Sequence, residues 1–254
     1  MEDEKKTFTG MKENHIEGRN AVLEAFRSGR TIDKLYVLDG CQDGPVRSIT
    51  REARKHDTIV NYVTKERLDQ ISETGKHQGV IAVSAAYDYA RVEDILALAE
   101  KKGEPPFILI LDGIEDPHNL GAIIRTANLC GAHGVIIPKR NSVGLNSVVA
   151  KTSAGAVEYT PVAKVTNIAN TIDSLKDEGL WIAAADMDGQ EMYDIDLKGS
   201  LGLVIGSEGE GISRLVREKC DFIASIPMAG EINSLNASVA AGVLMYEALR
   251  QRRK

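Results

Sequence analysis

Three short segments in the C-terminal half combine residue types suited to holding a small ligand and steadying charge. A hydrophobic run, Leu201 to Ile205, ends in Gly206-Ser207-Glu208-Gly209-Glu210-Gly211. A second run ends in Ile226-Pro227-Met228, and Ser234-Leu235-Asn236 follows shortly after it. Glycines remove the Cβ wall, so that main-chain N–H and C=O groups can touch a ligand directly. The carboxylates of Glu208 and Glu210 would repel phosphate and suit a partner with positive charge or hydroxyl donors, such as a sulfonium compound or a ribose. A plain tight turn before a helix accounts for the same glycines. Either Ser234 or Asn236 can cap the helix that follows. The third segment is Asn119-Leu120-Gly121-Ala122-Ile123-Ile124-Arg125-Thr126. Asn119 is placed to cap a helix, with Leu120, Ile123, Ile124 and Ala127 on its buried face and Arg125 in its second turn. An unpaired cation beside an apolar stripe is costly. Arg125 therefore either pairs with a structural carboxylate or meets an anionic ligand.

Positioning these segments requires alternating strands and helices. Apolar periodicity predicts a helix over Ile16–Phe26, strands at Lys34–Leu38, Thr58–Val63 and Gly79–Ala85, and helices at Val46–His56 and Lys65–Ile71. That alternation describes a small α/β unit, residues 12–88. One helical segment, Val92–Lys102, lies in a connector over 89–105, and Pro105-Pro106 marks the boundary. The remainder, 106–254, predicts strands at Phe107–Leu111, Gly134–Ile137, Val157–Pro161, Leu180–Ala185, Leu201–Ile205 and Phe222–Ile226. Helices fit Leu120–Cys130, Ile168–Glu178, Ser213–Lys219 and Ala237–Arg252. Continuous apolar strands of this kind belong to a parallel sheet covered on both faces. The first of them is followed by Asp112-Gly113-Ile114-Glu115-Asp116-Pro117-His118-Asn119, which lacks the G-x-G-x-x-G of a dinucleotide site. No G-x-x-x-x-G-K-[ST] pattern occurs, which argues against a P-loop nucleotidase.

Bulk properties bound the function classes. The 254 residues carry a net charge of −6, with 43% apolar and 27% charged residues, as in an ordinary globular protein. The three cysteines, Cys41, Cys130 and Cys220, are odd in number and far apart, which suits buried thiols better than a disulfide framework or a zinc site. An acidic, polar Met1–Lys6 without an apolar core leads us to expect a cytoplasmic protein, and no apolar stretch is long enough to cross a bilayer. The first ten or so residues lack periodicity and read as loose. Residues 12–84 are nearly neutral, with twelve Lys+Arg against eleven Asp+Glu. Within them Arg47, Arg51, Arg54 and Lys55 fall at helical spacing. That stripe is either a solvated face or a phosphate-binding one.

Taken together, the motifs resemble those of the SpoU/TrmH-type RNA 2′-O-ribose methyltransferases of the SPOUT superfamily. The resemblance rests on Asp116-Pro117-His118-Asn119-Leu120-Gly121-Ala122-Ile123-Ile124-Arg125-Thr126, on Leu203-Val204-Ile205-Gly206-Ser207-Glu208-Gly209-Glu210-Gly211, and on Ile226-Pro227-Met228 with Ser234-Leu235-Asn236-Ala237-Ser238-Val239-Ala240, in that order. The N-terminal part, through Ile16-Glu17-Gly18-Arg19-Asn20-Ala21-Val22 and Lys76-His77-Gln78-Gly79-Val80, resembles the accessory domain of the large-subunit (23S) rRNA guanosine branch.

The resemblance implies an α/β chain with a small N-terminal RNA substrate-binding domain. Its C-terminal SPOUT domain would have a parallel sheet and a C-terminal trefoil knot. It further implies an enzyme that uses S-adenosylmethionine, with Gly206, Ile226, Leu235 and Glu208 around the cofactor. Arg125, Asn119, Ser234 and Asn236 would serve the reaction, with Arg125 anchoring the target phosphate and stabilising the forming alkoxide. Ribosomal RNA as substrate and a homodimer are implied as well, the apolar faces of Leu120–Cys130 and Val239–Leu249 supplying the subunit interface. No metal ligands are implied. Among the five histidines, His77 is the one to test for RNA contact. A tRNA 2′-O-methyltransferase and a non-catalytic RNA-binding assembly factor on the same fold are the competing expectations.

Overall fold

A computed structural model describes residues 14–232 and 234–253. The N-terminal segment expected to be loose, the acidic start and the first residues of the expected 12–88 domain lie outside the described residues. The chain divides into two compact units, 14–88 with 144–147, and 89–143 with 148–253.

The first unit runs β1 (Asn14–Glu17), α1 (Arg19–Arg27), β2 (Ile32–Leu38), α2 (Gly44–Lys55), β3 (Ile59–Val63), α3 (Lys65–Ile71) and β4 (Val80–Ser84). Its sheet has the order β1-β4-β2-β3, with only the β2–β3 pair parallel. The helix expected over Ile16–Phe26 starts later, because Asn14–Glu17 pairs with β4 and Gly18 turns at φ 88°. Four residues of strand are too few to show a period of two. Val22 and Phe26 of α1, Ile49 and Ala53 of α2, and Leu35, Val37, Val80 and Ala82 of the sheet form one core.

Glu17, at the end of β1, holds the loop before β4. Its carboxylate accepts hydrogen bonds from the hydroxyls of Ser72 and Thr74 and from the N–H groups of Glu73 and Thr74. Burial opposes its ionisation, but those four donors outweigh it and hold the carboxyl at about 2, down from 4.5. His77 in the same loop is buried and satisfied internally. Its Nδ1 accepts from the Gly79 N–H at 3.0 Å and its Nε2 lies 2.9 Å from Asp69. His77, named above as the histidine to test for RNA contact, thus has both ring nitrogens engaged within the unit, and the ring orders the turn into β4.

The second unit runs α4 (Val92–Lys102), β5 (Phe107–Asp112), α5 (Pro117–Leu129), β6 (Gly134–Pro138), α6 (Ser147–Thr152), β7 (Val162–Val165), α7 (Ile168–Asp177), β8 (Trp181–Glu191), β9 (Leu201–Gly206), α8 (Arg214–Lys219), β10 (Phe222–Ser225) and α9 (Ala237–Arg252). Six strands form one sheet, order β10-β8-β9-β5-β6-β7, and every pair is parallel. Phe107–Leu111 is buried at every residue, which is the signature of a central strand with both faces covered. Ile95 of α4, Ile168, Ile172 and Leu175 of α7, and Ile108, Ile136, Ile182 and Val204 of the sheet share one core. The segment expected as a connector thus contributes a packed helix to this unit.

Val157–Pro161, expected as a strand, contains a 3-10 turn at Ala156–Glu158, and the strand begins at Val162. Ala156, Glu158 and Thr160 N–H groups bond locally to preceding carbonyls, and pairing with β6 begins only where the Pro161 carbonyl accepts from the Val135 N–H at 2.9 Å. The strand expected to stop at Ala185 continues to Glu191. Among the thiols, Cys130 is buried while Cys41 and Cys220 are only partly so, and all three are free.

Replacing Glu17 by Gln strands part of the donor set around the loop, so global stability near neutral pH should fall by about 1–3 kcal/mol. The wild-type carboxylate stabilises the fold fully above 4.5, and this contribution is lost as pH falls towards about 2. Chemical denaturation across that range checks both points. A Glu17→Gln protein with wild-type stability at pH 7 refutes the assignment.

Candidate active site

The glycine loop after β9 is a closed hairpin. Ser207 and Gly211 exchange both main-chain bonds, at 3.1 and 3.0 Å, and Glu210 N–H bonds the Ser207 hydroxyl at 3.3 Å. Glu208, Gly209 and Glu210 are thereby extruded as the tip. The closure leaves no room at its base: a Cβ on Gly206 would stand 2.2 Å from the Gly211 carbonyl carbon. At the C-terminal end of β5, Asp112 accepts from the Ser213 N–H at 2.8 Å, fixing the far end of the loop to the sheet.

A second wall comes from β8. Its pairing with β10 breaks after Ala184↔Ile223 and resumes at Gln190↔Ala224, so residues 185–189 bow out of the ladder. Gly189 permits this, since a Cβ there would lie 2.3 Å from the Ile223 carbonyl oxygen. Asp186 braces the bow by accepting from Arg217 Nε at 3.0 Å and from the Asp188 N–H at 3.3 Å. Between bow, loop and the start of α9 lies a cavity of about 340 Å³. Gly206, Glu208, Ile226, Ser234 and Leu235 all line it, beside Asp186, Met187 and Asp188. The bowed residues were missed by periodicity, because Asp186-Met187-Asp188-Gly189 reads as a turn closing a shorter strand.

Three distant segments meet at the cavity edge. Asn119 Nδ2 donates to Glu208 Oε1 at 2.8 Å, and Asn236 Nδ2 donates to Asn119 Oδ1 at 2.9 Å and also to Glu208 Oε1. Asn236 caps α9, its Oδ1 accepting from the Ser238 and Val239 N–H groups at 3.0 and 3.2 Å and from the Ser238 hydroxyl at 2.6 Å. That capping role fixes which end of the amide faces Asn119 and Glu208. Of the two candidate caps, Asn236 serves and Ser234 is left to face the cavity. Asn119 does not cap α5, contrary to expectation. Asp116 does so, accepting from the His118 N–H at 2.9 Å, with Pro117 in the first helical turn. The amide of Asn119, released from capping, is buried and turned to Glu208.

Arg125 is not brought into this cluster. It sits in the third turn of α5, not the second, exposed and absent from the cavity lining. Among the described residues its guanidinium has neither an ion pair nor a hydrogen bond, so the structural-carboxylate alternative fails. A second cavity, about 520 Å³, opens on the other side of the loop tip and includes Glu115, Asp116, Asn119 and Asn141.

The first cavity offers Ile212, Ala224, Ile226, Met228 and Leu235 as apolar surface, carboxylates at Asp186, Asp188, Glu208 and Glu210 and, among the described residues, no Lys or Arg. That set fits a flat apolar ring, a hydroxylated sugar and a cationic centre, and it disfavours phosphate. S-adenosylmethionine has those three parts. Among the described residues no group of His, Cys, Asp and Glu is arranged to hold a metal.

Residues 106–246 match the SpoU rRNA Methylase family, and residues 15–90 match the RNA 2′-O ribose methyltransferase substrate binding family. A TrmH family tRNA/rRNA methyltransferase of Bacillus subtilis is 50% identical over 240 residues, covering 94% of this chain and 96% of that one. Among solved structures, the SpoU methyltransferase AviRb from Streptomyces viridochromogenes, in complex with AdoMet, has a TM-score of 0.61 at 26% identity, over 95% of this chain and 91% of that one. An AdoMet-bound rRNA methyltransferase from Sinorhizobium meliloti has a TM-score of 0.58 at 26% identity, over 93% and 86%. The chain belongs to the SpoU rRNA methylase family. It is an RNA methyltransferase, and its methyl donor is S-adenosylmethionine.

Two glycine substitutions separate a required approach from an open one. Gly206→Ala must push the loop off β9 and should weaken S-adenosylmethionine binding at least about tenfold, whereas Gly209→Ala meets nothing within 4 Å and should be near neutral. Titration calorimetry reads both. Equal affinities would remove the loop from the cofactor site.

Proposed function

We propose that this enzyme methylates the 2′-hydroxyl of a guanosine ribose in large-subunit (23S) rRNA, as a homodimer in the cytoplasm. The observation that carries the reading is the convergence of Gly206, Glu208, Ile226, Ser234 and Leu235 on one cavity, with the Asn119–Glu208–Asn236 network at its edge. Main-chain groups of Gly206, Ile226 and Leu235 hold adenine and ribose, and Glu208 shapes the same pocket. The family's trefoil knot is the fold-level counterpart, since β9, the glycine loop, β10 and the start of α9 all return to that cavity.

S-adenosylmethionine supplies an electrophilic methyl group when bound. The remaining work falls to the chain. A ribose hydroxyl is a weak nucleophile, and charge grows on its oxygen as its proton passes to solvent water and the neutral thioether departs. Asn119, Asn236 and Ser234 position sugar and cofactor, the two amides already oriented by Glu208 and by the α9 cap. Arg125 anchors the adjoining phosphate and steadies the developing alkoxide. A guanidinium keeps its proton, so its role is electrostatic.

Arg125 is exposed and outside the cavity lining of its own chain, which supports its action on the site of a second copy. It shares a ridge of α5 with Leu129, which is 64% exposed, and α5 packs against α9, whose Val239 and Tyr246 are 49% and 52% exposed. Those apolar groups, otherwise left in water, are the surface a twofold partner would cover. The second reading, a tRNA substrate, is kept because the name of the Bacillus subtilis relative covers both tRNA and rRNA.

The reaction is tested by incubating purified protein and labelled donor with 23S rRNA fragments and with tRNA, then mapping the modified ribose. A guanosine 2′-O-methyl in 23S rRNA is expected, and label confined to tRNA overturns the rRNA assignment. Turnover by neither, with cofactor still bound, favours an assembly factor. Arg125→Lys should lose most turnover at unchanged cofactor affinity, because a point charge replaces a planar fork. Mixing Arg125→Ala with Gly206→Ala subunits should restore about a quarter of wild-type activity if a twofold dimer shares arginines across its interface. No recovery, with subunit exchange verified, would place Arg125 outside the partner's site.

A further inference from the structure

The N-terminal unit carries a ridge of cations that its own fold does not use. Arg47, Arg51 and Arg54 of α2 are all exposed, and among the described residues none makes a hydrogen bond or ion pair through its side chain. Other arginines of the unit are engaged. Arg19 pairs with Asp43 at 2.6 Å, Arg27 with Glu24 at 2.7 Å, and Arg30 and Arg67 hydrogen bond to Ser84 and Gln70. The one acid of α2, Glu52, is bonded to Lys55 at 2.8 Å, and Arg51 acts on it only through space.

Three positive charges at i, i+4 and i+7 repel one another along the helix. The first of them also lies near the N-terminal end, where the helix dipole disfavours a cation. Neither cost returns any stability within the unit. The opposite face of α2 is committed to the core through Val46, Ile49 and Ala53, so no apolar surface is left there to enter a membrane. On a chain of net charge −6, such a ridge is a local exception.

The helix spaces the three guanidinium stems by about 6 Å and about 10 Å along its axis, all within about 60° of arc. We infer that this ridge is the surface on which the N-terminal unit tracks successive phosphates of one strand of a structured RNA. The inference rests on the proposed rRNA substrate and adds where the RNA backbone lies. Phosphate contacts of this kind fix register without reading sequence. They leave recognition of the target ribose to the catalytic unit.

Salt dependence of binding tests it on the full-length protein. The probe is an in-vitro transcript of a 23S rRNA domain that the wild-type enzyme binds, titrated across a series of salt concentrations. The triple variant Arg47→Gln, Arg51→Gln, Arg54→Gln should flatten the slope of log K against log salt by about 2 to 3 and weaken binding about tenfold or more near physiological salt. Cofactor affinity and kcat at saturating RNA should not change. A triple Arg→Lys variant should recover most of the affinity, since a phosphate accepts a point charge.

Gln is well tolerated on a helix surface, and thermal unfolding verifies that the variant folds. An unchanged slope and affinity in the folded triple-Gln variant sinks this face while leaving the enzyme assignment intact. Loss of binding to anionic lipid vesicles with RNA binding unaltered would also overturn it, in favour of a membrane surface. Wild-type protein that binds cofactor but no transcript overturns both this inference and the rRNA reading.

Discussion

The Glu208 carboxylate ties three separate segments of the second unit together at the cavity edge. Asn119 lies on α5, Glu208 on the loop after β9, and Asn236 at the start of α9, so one side chain joins elements more than a hundred residues apart. Glu208 is acceptor only, and both amide groups turn their NH2 ends towards it. Orientation then propagates outward. The Asn236 oxygen is left to cap α9, which sets where the last helix begins and where Ser234 and Leu235 face. Removing the charge would free two amides and a helix start together, so the elements around it act as a unit.

Geometry at the sheet edge explains why that carboxylate is available. The loop closes through Ser207 and Gly211 and throws its tip outward, and the close approach at Gly206 makes the closure possible. Opposite it, β8 abandons its ladder for residues 185–189 and is braced there by Arg217. Parallel strands end with unpaired main-chain groups at their C-terminal edge, and this is where open α/β sheets generally take ligands. Here the edge is widened by a bow in one strand and roofed by the hairpin of the next. An acidic rim with an apolar floor follows from the residues those two distortions carry.

The N-terminal unit is organised by a different carboxylate. Glu17 collects four donors from the loop preceding β4, and His77 orders the turn that enters the strand. The residues by which this unit resembles a family accessory domain, Gly18-Arg19 and His77-Gln78-Gly79, thus serve its architecture: Arg19 donates to the Gln78 carbonyl and pairs with Asp43. Cations left over from that architecture stand on α2.

Much was legible in the sequence, and the limits have physical causes. Continuous apolar runs gave the parallel sheet, because strands buried on both faces have no polar residues to interrupt them. The spacing of Leu120, Ile123, Ile124 and Ala127 gave the buried face of α5, and all four are fully buried. Two of the three motifs gave most of the cavity lining, since small and amide residues at strand ends have few other uses. Tertiary structure decided the rest. Whether Asn119 caps a helix or faces a carboxylate depended on Asp116 taking the cap first. Where β8 ends depended on β10 resuming its pairing six residues later, which no local pattern encodes. Arg125 has the same neighbours in sequence whether it is paired internally or exposed. Only the packed helix, turned by its own apolar stripe, leaves that charge exposed and without a partner among the described residues. Local sequence sets periodicity and capping chemistry through contacts a few residues apart, while the partners of a charge are chosen by segments that meet only when the sheet is assembled.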